Sequence, residues 1–420
     1  MSSIFEGFLS TSEVLEAFSE RNFLEAMLRF EASLARAQAR VGLIPEAAAQ
    51  SIIGTCKVEL FDVAKIVRES GRAGSIAIPL VKSLKETVGL FNQEAAGFVH
   101  FGSTSQDVID TALALVTRNA LSLIEADVSK AASALLSLAQ LHAGDPVLAR
   151  TLMQPASVTS FGLKCTGWAA PLVRSLQRLQ ASSGNALCVQ LGGAVGTLAQ
   201  MQKNGKNLGS QVMALMAADL ELRAPSAAWH TQRDEWVALG CELGLLVGSL
   251  GKIAKDISLM GQYEVSEVAE PSEAGRGGSS AMPHKRNPVA CMVALAAAQR
   301  APQRVAALLA AMPQEHERAL GNWQAELAEW PGLLMSAHGS ARAMAQALPG
   351  LQVDTRRMRA NLDALRAVLP QDAADEWFSP ALALHAAELT HAQVDLQRNA
   401  LAALGKSTET HKTKVTKVMP

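Results

Sequence analysis

The chain of 420 residues has few aromatic side chains and almost no excess charge. Aromatic residues make up 4% of it, with a single tyrosine at Tyr263, and the formal net charge is −1. Scarce strand formers beside frequent alanine and leucine favour helix over strand. A net charge near zero leaves no basic field for nucleic acid or an anionic membrane. We therefore expect an all-α protein with neither as a partner.

The sequence also lacks the marks of a secreted, membrane or metal protein. Its five cysteines are widely spaced without a Cys-x-x-Cys pair, which predicts reduced thiols and a cytoplasmic location. The first seven residues do not resemble a signal peptide. The most apolar stretch, 237–260, is interrupted by four charged residues, so we expect no membrane span. The histidines have no metal-ligand spacing, and we expect neither metal nor organic cofactor.

The length and the predicted helices indicate several domains. A chain of this size exceeds one compact core. We expect an N-terminal helical domain over 1–108, a central helix-bundle domain over 109–350 and a small C-terminal helical region with a polar tail over 351–420. Long helices suggest a bundle completed by other subunits. The predicted long helices are 107–143, 155–182, 232–263, 287–312 and 327–347.

Two local patterns predict how helices pack. One apolar stripe recurs at helical spacing through Phe23, Met27, Phe30, Leu34 and Ala37. Glycines in a helix interior lower its stability, so a row of them predicts the close approach of a neighbouring helix. That row is Gly240, Gly244, Gly248 and Gly251.

The segment 275–288 carries the clearest chemical pattern. Its glycines are typical of a loop that opens and closes. The hydroxyls of Ser279 and Ser280 follow, then a cation at Lys285 and an amide at Asn287. A mobile hydroxyl with a cation six residues later suits proton transfer beside a carboxylate, where negative charge develops in the transition state.

The run Gly-Ser-Ser-x-Met-Pro-x-Lys-x-Asn-Pro over 278–288 resembles the signature of the fumarase/aspartase superfamily. That superfamily includes argininosuccinate lyase, adenylosuccinate lyase and bacterial 3-carboxy-cis,cis-muconate cycloisomerase. The resemblance implies a homotetramer whose active sites gather segments from several subunits. It places the reactive hydroxyl at Ser279, with Lys285 and Asn287 as catalytic partners and Ser280 in the substrate site; which serine donates the proton stays open.

Two further segments resemble the superfamily. In the first, His100 to Thr111, the resemblance implies that Thr104 and Ser105 bind a substrate carboxylate, and we also place His100 in the site. The start of a long helix attracts anions through unpaired N–H groups. The alternative is that the same hydroxyls only cap the helix.

The second segment, Arg150 to Gly162, assigns Thr151 and Gln154 to the substrate site by resemblance. Farther along, Arg318 could clamp a substrate carboxylate through two parallel hydrogen bonds. The alternative for Arg318 is a salt bridge on a helix surface.

The chain departs from most lyases of the superfamily at one pair of positions. Where they have a histidine held by a glutamate, this sequence has Leu152 and Met292. Expelling hydroxide or an amine requires a general acid, whereas a carboxylate, with a reference pKa of about 4, requires none. We therefore expect the cycloisomerase branch, with a tricarboxylate substrate that closes to carboxymuconolactone. The alternatives are a β-eliminating lyase of the adenylosuccinate lyase type and a non-catalytic structural relative.

Overall fold

The computed structural model describes residues 4–416 except 274, 280 and 283. The helices are α1 (Ile4–Leu9), α2 (Ser12–Ala17), α3 (Glu20–Arg40), α4 (Glu46–Thr55), α5 (Val63–Ala73), α6 (Ala77–Phe91), α7 (Ser105–Leu141), α8 (Phe161–Ala186), α9 (Gly209–Leu220), α10 (Asp234–Met260), α11 (Val289–Ala310), α12 (Asn322–Ala347), α13 (Thr355–Arg366), α14 (Gln371–Trp377) and α15 (Leu382–Thr416). The strands form three antiparallel pairs, β1 (Pro146–Thr151) with β2 (Gln154–Ser160), β3 (Gln202–Lys203) with β4 (Lys206–Asn207), and β5 (Val268–Ala269) with β6 (Gln352–Val353). Because the strands are few and short, the expected all-α class is confirmed.

Five long helices, α7, α8, α10, α11 and α12, pack into a central bundle. Helix α12 runs in the same direction as α7. Trp330 donates from Nε1 to the Thr117 hydroxyl at 2.8 Å, and farther along both helices Arg342 donates from Nε to Asp127 at 2.7 Å. The two helices therefore pack side by side between these two contacts.

Helix α10 lies inside this bundle. A β-carbon at Gly240 would lie 2.7 Å from a methyl of Leu308, and one at Gly251 would lie 2.4 Å from the Ala298 methyl. The predicted close approach at the glycine row is therefore confirmed at these positions, while Gly248 has nothing within 4 Å. Among the described helices, α10 is also the one that is long and apolar enough to cross a membrane. Its burial against neighbouring helices accounts for that composition.

Four of the five predicted long helices agree with α7, α10, α11 and α12 to within a few residues. The prediction of a helix starting at 155 is wrong, since β2 continues to Ser160 and α8 begins at Phe161. Ser160 caps α8, its Oγ accepting from the Leu163 amide at 3.0 Å.

The regions on either side of the bundle are also helical. The apolar stripe predicted near the N-terminus is confirmed in α3, where Met27, Phe30 and Leu34 are buried. At the other end of the chain, a small separate core joins the β1–β2 hairpin to α13, α14 and α15. The five cysteines are free thiols, as expected.

Candidate active site

The first turn of α7 is held by a buried carboxylate. Asp107 accepts hydrogen bonds from the backbone N–H of Thr104 at 3.0 Å and of Gly192 and Gly193 at 2.9 Å each. The His230 ring lies 2.7 Å from the same carboxylate. Asp107 therefore fixes Thr104, a predicted substrate residue, against a loop that follows α8. Sequence reasoning missed this role, because Gly192, Gly193 and His230 lie 85 or more residues from Asp107 and only the Thr104 bond is local.

A second buried network lies one turn farther along α7. The side chain of Arg233 is fully buried between the carboxylates of Asp110 and Glu326. Burial raises the pKa of Glu326, although the adjacent Arg233 lowers it. Next to this network, Arg318 donates to Gln106 Oε1 at 3.1 Å. The network therefore joins the N-terminal ends of α7, α10 and α12.

Arg318 is held by neutral acceptors. Besides Gln106, it donates to the carbonyl oxygens of Gly193 at 3.3 Å and Ala194 at 2.7 Å. These bonds leave its positive charge without a carboxylate partner in the described residues. The alternative of a surface salt bridge therefore does not describe Arg318 in this structure.

His100 lies next to the same helix end. It adopts a left-handed backbone (φ 61°), which is uncommon for a residue other than glycine and occurs often at functional sites. Its Nδ1 lies 2.5 Å from Glu31 Oε1. Burial alone would lower the pKa of His100, but the Glu31 carboxylate outweighs it and raises that pKa. His100 and Ser105 both line an open cleft beside α6.

Thr151 and Gln154 lie at the end of the β1–β2 hairpin, where they pair with each other. The two turn residues between them, Leu152 and Met153, have φ values of 50° and 66° and are 96% and 70% exposed. Such turns ordinarily contain asparagine or glycine. The hairpin therefore presents an apolar tip away from its own chain.

The segment 275–288 forms a loop closed at its base. The backbone N–H of Asn287 donates to the backbone carbonyl of Gly277 at 2.8 Å. The Ser279 hydroxyl accepts from the Met282 amide at 3.1 Å, and the Lys285 side chain is exposed. Ser280 lies outside the described residues. The loop thus keeps the predicted hydroxyl and cation on one short segment.

Two glutamates, the buried Glu267 and the half-buried Glu270, hold the hairpin and the loop, and sequence reasoning missed both. Glu267 accepts two hydrogen bonds from Arg150, at 2.7 and 2.9 Å, near the turn of the hairpin. Glu270 accepts from the amides of Ala290 and Cys291 at 3.0 and 2.8 Å, at the start of α11. A carboxylate at a helix N-terminus satisfies unpaired N–H groups. Both glutamates lie 20 or more residues from the groups they bind, so local spacing offers no signal for either contact.

The structure divides the predicted site residues between two ends of the bundle. Arg233, just before α10, contacts Asp110, whereas Glu267, just after α10, contacts Arg150. A helix rises about 1.5 Å per residue, so the 27 residues of α10 separate these ends by about 40 Å. The residues at the first end are His100, Thr104, Ser105 and Arg318. Those at the second end are Thr151, Gln154, Ser279, Lys285 and Asn287. The described residues contain no group of three or more His, Cys, Asp or Glu side chains placed to hold a metal.

Comparison with known proteins shows the family of the chain. A family model described as lyase matches residues 9–302, and the chain belongs to that family, within the fumarase/aspartase superfamily. The 3-carboxy-cis,cis-muconate cycloisomerase of Bradyrhizobium diazoefficiens is 44% identical over 89% of this chain and 82% of its own length. The nitrosuccinate lyase of Streptomyces davaonensis is 42% identical over 83% and 74%. The crystal structure of the 3-carboxy-cis,cis-muconate lactonizing enzyme of Pseudomonas putida superposes with a TM-score of 0.86 at 37% identity, covering 95% of this chain and 100% of that one.

Proposed function

We propose that this chain is a cycloisomerase that closes 3-carboxy-cis,cis-muconate to carboxymuconolactone, a reaction of aromatic catabolism. The apolar pair Leu152 and Met292 carries the proposal. Leu152 lies at the exposed hairpin tip, and Met292 is 44% exposed on the first turn of α11, after the loop. Neither can donate or accept a proton, and such a pair suits a leaving or attacking group that is a weak base, such as a carboxylate. The 44% identity to cycloisomerases supports ring closure over elimination.

The reaction requires one new C–O bond and one proton. A substrate carboxylate adds to the conjugated double bond without a base, and the π electrons move toward the carboxylate on the neighbouring carbon. Lys285, Asn287 and loop N–H groups stabilise the enolate-like charge that develops there. Ser279 then delivers the proton to carbon, and solvent water returns a proton to its hydroxyl. Thr104, Ser105, Thr151, Gln154, Ser280 and Arg318 bind and orient the substrate, with His100 beside them.

The assembly that this mechanism requires is a homotetramer in which each site combines different chains. The separation of about 40 Å along α10 supports it, because one chain alone cannot bring Thr104 to Ser279. The test mixes two inactive variants, Thr104→Val and Ser279→Ala, in equal amounts under conditions that exchange subunits. If each site takes the two residues from different chains, about a quarter of the sites are intact and activity returns. Activity that stays absent, although mixed tetramers form, contradicts the shared site.

The substrate is tested by following the ultraviolet absorbance of 3-carboxy-cis,cis-muconate, with the lactone identified by NMR and adenylosuccinate assayed in parallel. We expect rapid loss of the muconate and no fumarate from adenylosuccinate. The double variant Leu152→His with Met292→Glu should change cycloisomerase turnover little, because no step uses an acid there. A large gain of lyase activity in that variant would instead favour the adenylosuccinate lyase type.

A second candidate is a lyase that expels another weakly basic anion. The similarity to a nitrosuccinate lyase favours it, and apolar residues at positions 152 and 292 would suit such a leaving group equally well. Nitrosuccinate is therefore included in the assay. Turnover of nitrosuccinate without turnover of the muconate would replace the first proposal by the second.

A further inference from the structure

A cleft of about 430 Å³ opens between α6 and the first turn of α7. Its volume lies within the range of small-molecule sites. Its wall on α7 is Ser105, one of the predicted substrate residues, and His100 lies beside it. The cleft therefore continues the end of the bundle that carries Thr104 and Arg318.

The α6 wall of this cleft presents two cations. Lys82 and Lys85 are three residues apart, so they share one face of the helix. Both are exposed, and neither ammonium forms a hydrogen bond or an ion pair with a described residue. By contrast, Lys65 on α5 and Lys252 on α10 each lie within ion-pair distance of an acidic residue four positions later. The two cleft lysines thus keep their charge available.

The remaining lining is apolar apart from one carboxylate. Ile78 and Val81 form the apolar part, together with Ala77, and suit contact with a carbon skeleton. Glu86 also lines the cleft, but it forms no ion pair with Lys82. Two lysines against one glutamate leave the α6 wall with a net positive charge. An anion with an unsaturated carbon chain therefore fits this wall better than a neutral ligand or a cation.

We propose that Lys82 and Lys85, with Ser105, form a carboxylate subsite that selects tricarboxylates over dicarboxylates. The inference rests on the proposed function, whose substrate has three carboxylates. Lysine side chains act as point charges on flexible stems and bind a carboxylate without the planar pairing that arginine requires. The third carboxylate of the substrate occupies this subsite, and the loop carrying Lys285 acts on the reacting end of the molecule.

The test uses the variants Lys82→Gln, Lys85→Gln and their combination, with Lys65→Gln as the matched control on the neighbouring helix. Each cleft variant should raise KM for 3-carboxy-cis,cis-muconate about tenfold, with kcat changing little, because a uniform binding contact is lost. Calorimetry with propane-1,2,3-tricarboxylate should show a similar loss of affinity, while affinity for succinate is unchanged. Lys65→Gln should leave all these values as in the unmodified protein.

The outcomes separate this inference from the proposed function. Normal muconate turnover with an unchanged KM in the double variant overturns the subsite and leaves the function intact. Absence of muconate turnover in the unmodified protein overturns the proposed function. In that case calorimetry still decides the subsite: equal affinity of the unmodified protein and the double variant for the tricarboxylate overturns it.

Discussion

Arg233 is the buried cation whose removal should cost the most stability. Its guanidinium donates from Nη1 to Asp110 at 2.9 Å and from Nε to Glu326 at 3.1 Å, and all three side chains are fully buried. Replacing it by methionine leaves two carboxylates facing each other without a cation. Breaking a buried ion pair from one side costs about 3–5 kcal/mol. We therefore expect the free energy of unfolding of Arg233→Met at pH 8 to be lower than that of the unmodified protein by at least about 3 kcal/mol.

The loss of unfolding free energy in Arg233→Met should be larger at high pH than at low pH. Burial already raises the pKa of Glu326, and the variant lacks the cation that lowers it. The folded variant therefore holds a proton that the unfolded chain releases, so its stability is greatest at low pH and falls as pH rises through the raised pKa. The destabilisation relative to the unmodified protein should be smaller at pH 5.5 than at pH 8.

Urea unfolding at one protein concentration measures both effects, since the proposed assembly would make stability depend on concentration. The control is Arg21→Met, which breaks an exposed ion pair with Glu59. An exposed pair contributes about 1 kcal/mol or less. If the two variants lose the same stability, or if the loss at position 233 does not change with pH, the account of this network is wrong.

Three further perturbations test separate parts of the structure. Gly251→Ala should lower the urea midpoint, since its new methyl would lie 2.4 Å from a carbon of the neighbouring helix. Gly248→Ala has open space around the new methyl and should raise the free energy of unfolding by about 0.5–1 kcal/mol. Equal effects of the two variants would contradict the packing of α10. Burial lowers the pKa of His338 below 6.5, so the folded state resists its protonation and loses stability as pH falls through 6.5. His338→Gln should therefore make the thermal midpoint change less between pH 8 and 5.5. The same pH dependence of the midpoint in the variant and the unmodified protein would contradict this role. Ser279→Ala should reduce kcat by about 10²–10⁴, and Ser280→Ala much less; the reverse order would move the proton donor to Ser280.

Sequence periodicity predicted the helices well because their apolar faces repeat at helical spacing. Helices α7, α10, α11 and α12 were located within a few residues. The β1–β2 hairpin was missed for a physical reason: its turn is Leu152–Met153, with none of the asparagine or glycine that ordinarily marks a two-residue turn. Without that mark, the pattern after Gln154 predicts the beginning of the next helix.

The site residues were recognised as motifs, but not the side chains that hold them. The Asp107–His230 contact joins residues 123 positions apart, and Arg150–Glu267 joins residues 117 apart. Contacts at such separations depend on how whole helices pack, which local spacing does not encode. The residue roles themselves stay predictions until the variants are measured.

The hairpin tip connects the fold to the proposed assembly. Leu152 and Met153 hold a left-handed backbone, which costs roughly 1–3 kcal/mol for a residue other than glycine, and they expose two large apolar side chains. Within one chain neither feature is compensated by burial. Docking of the tip against another copy would bury both side chains and hold the turn, and it would carry Thr151 and Gln154 into that copy's site. A turn that is costly in one chain and would be buried by a second copy is what the proposed shared site requires.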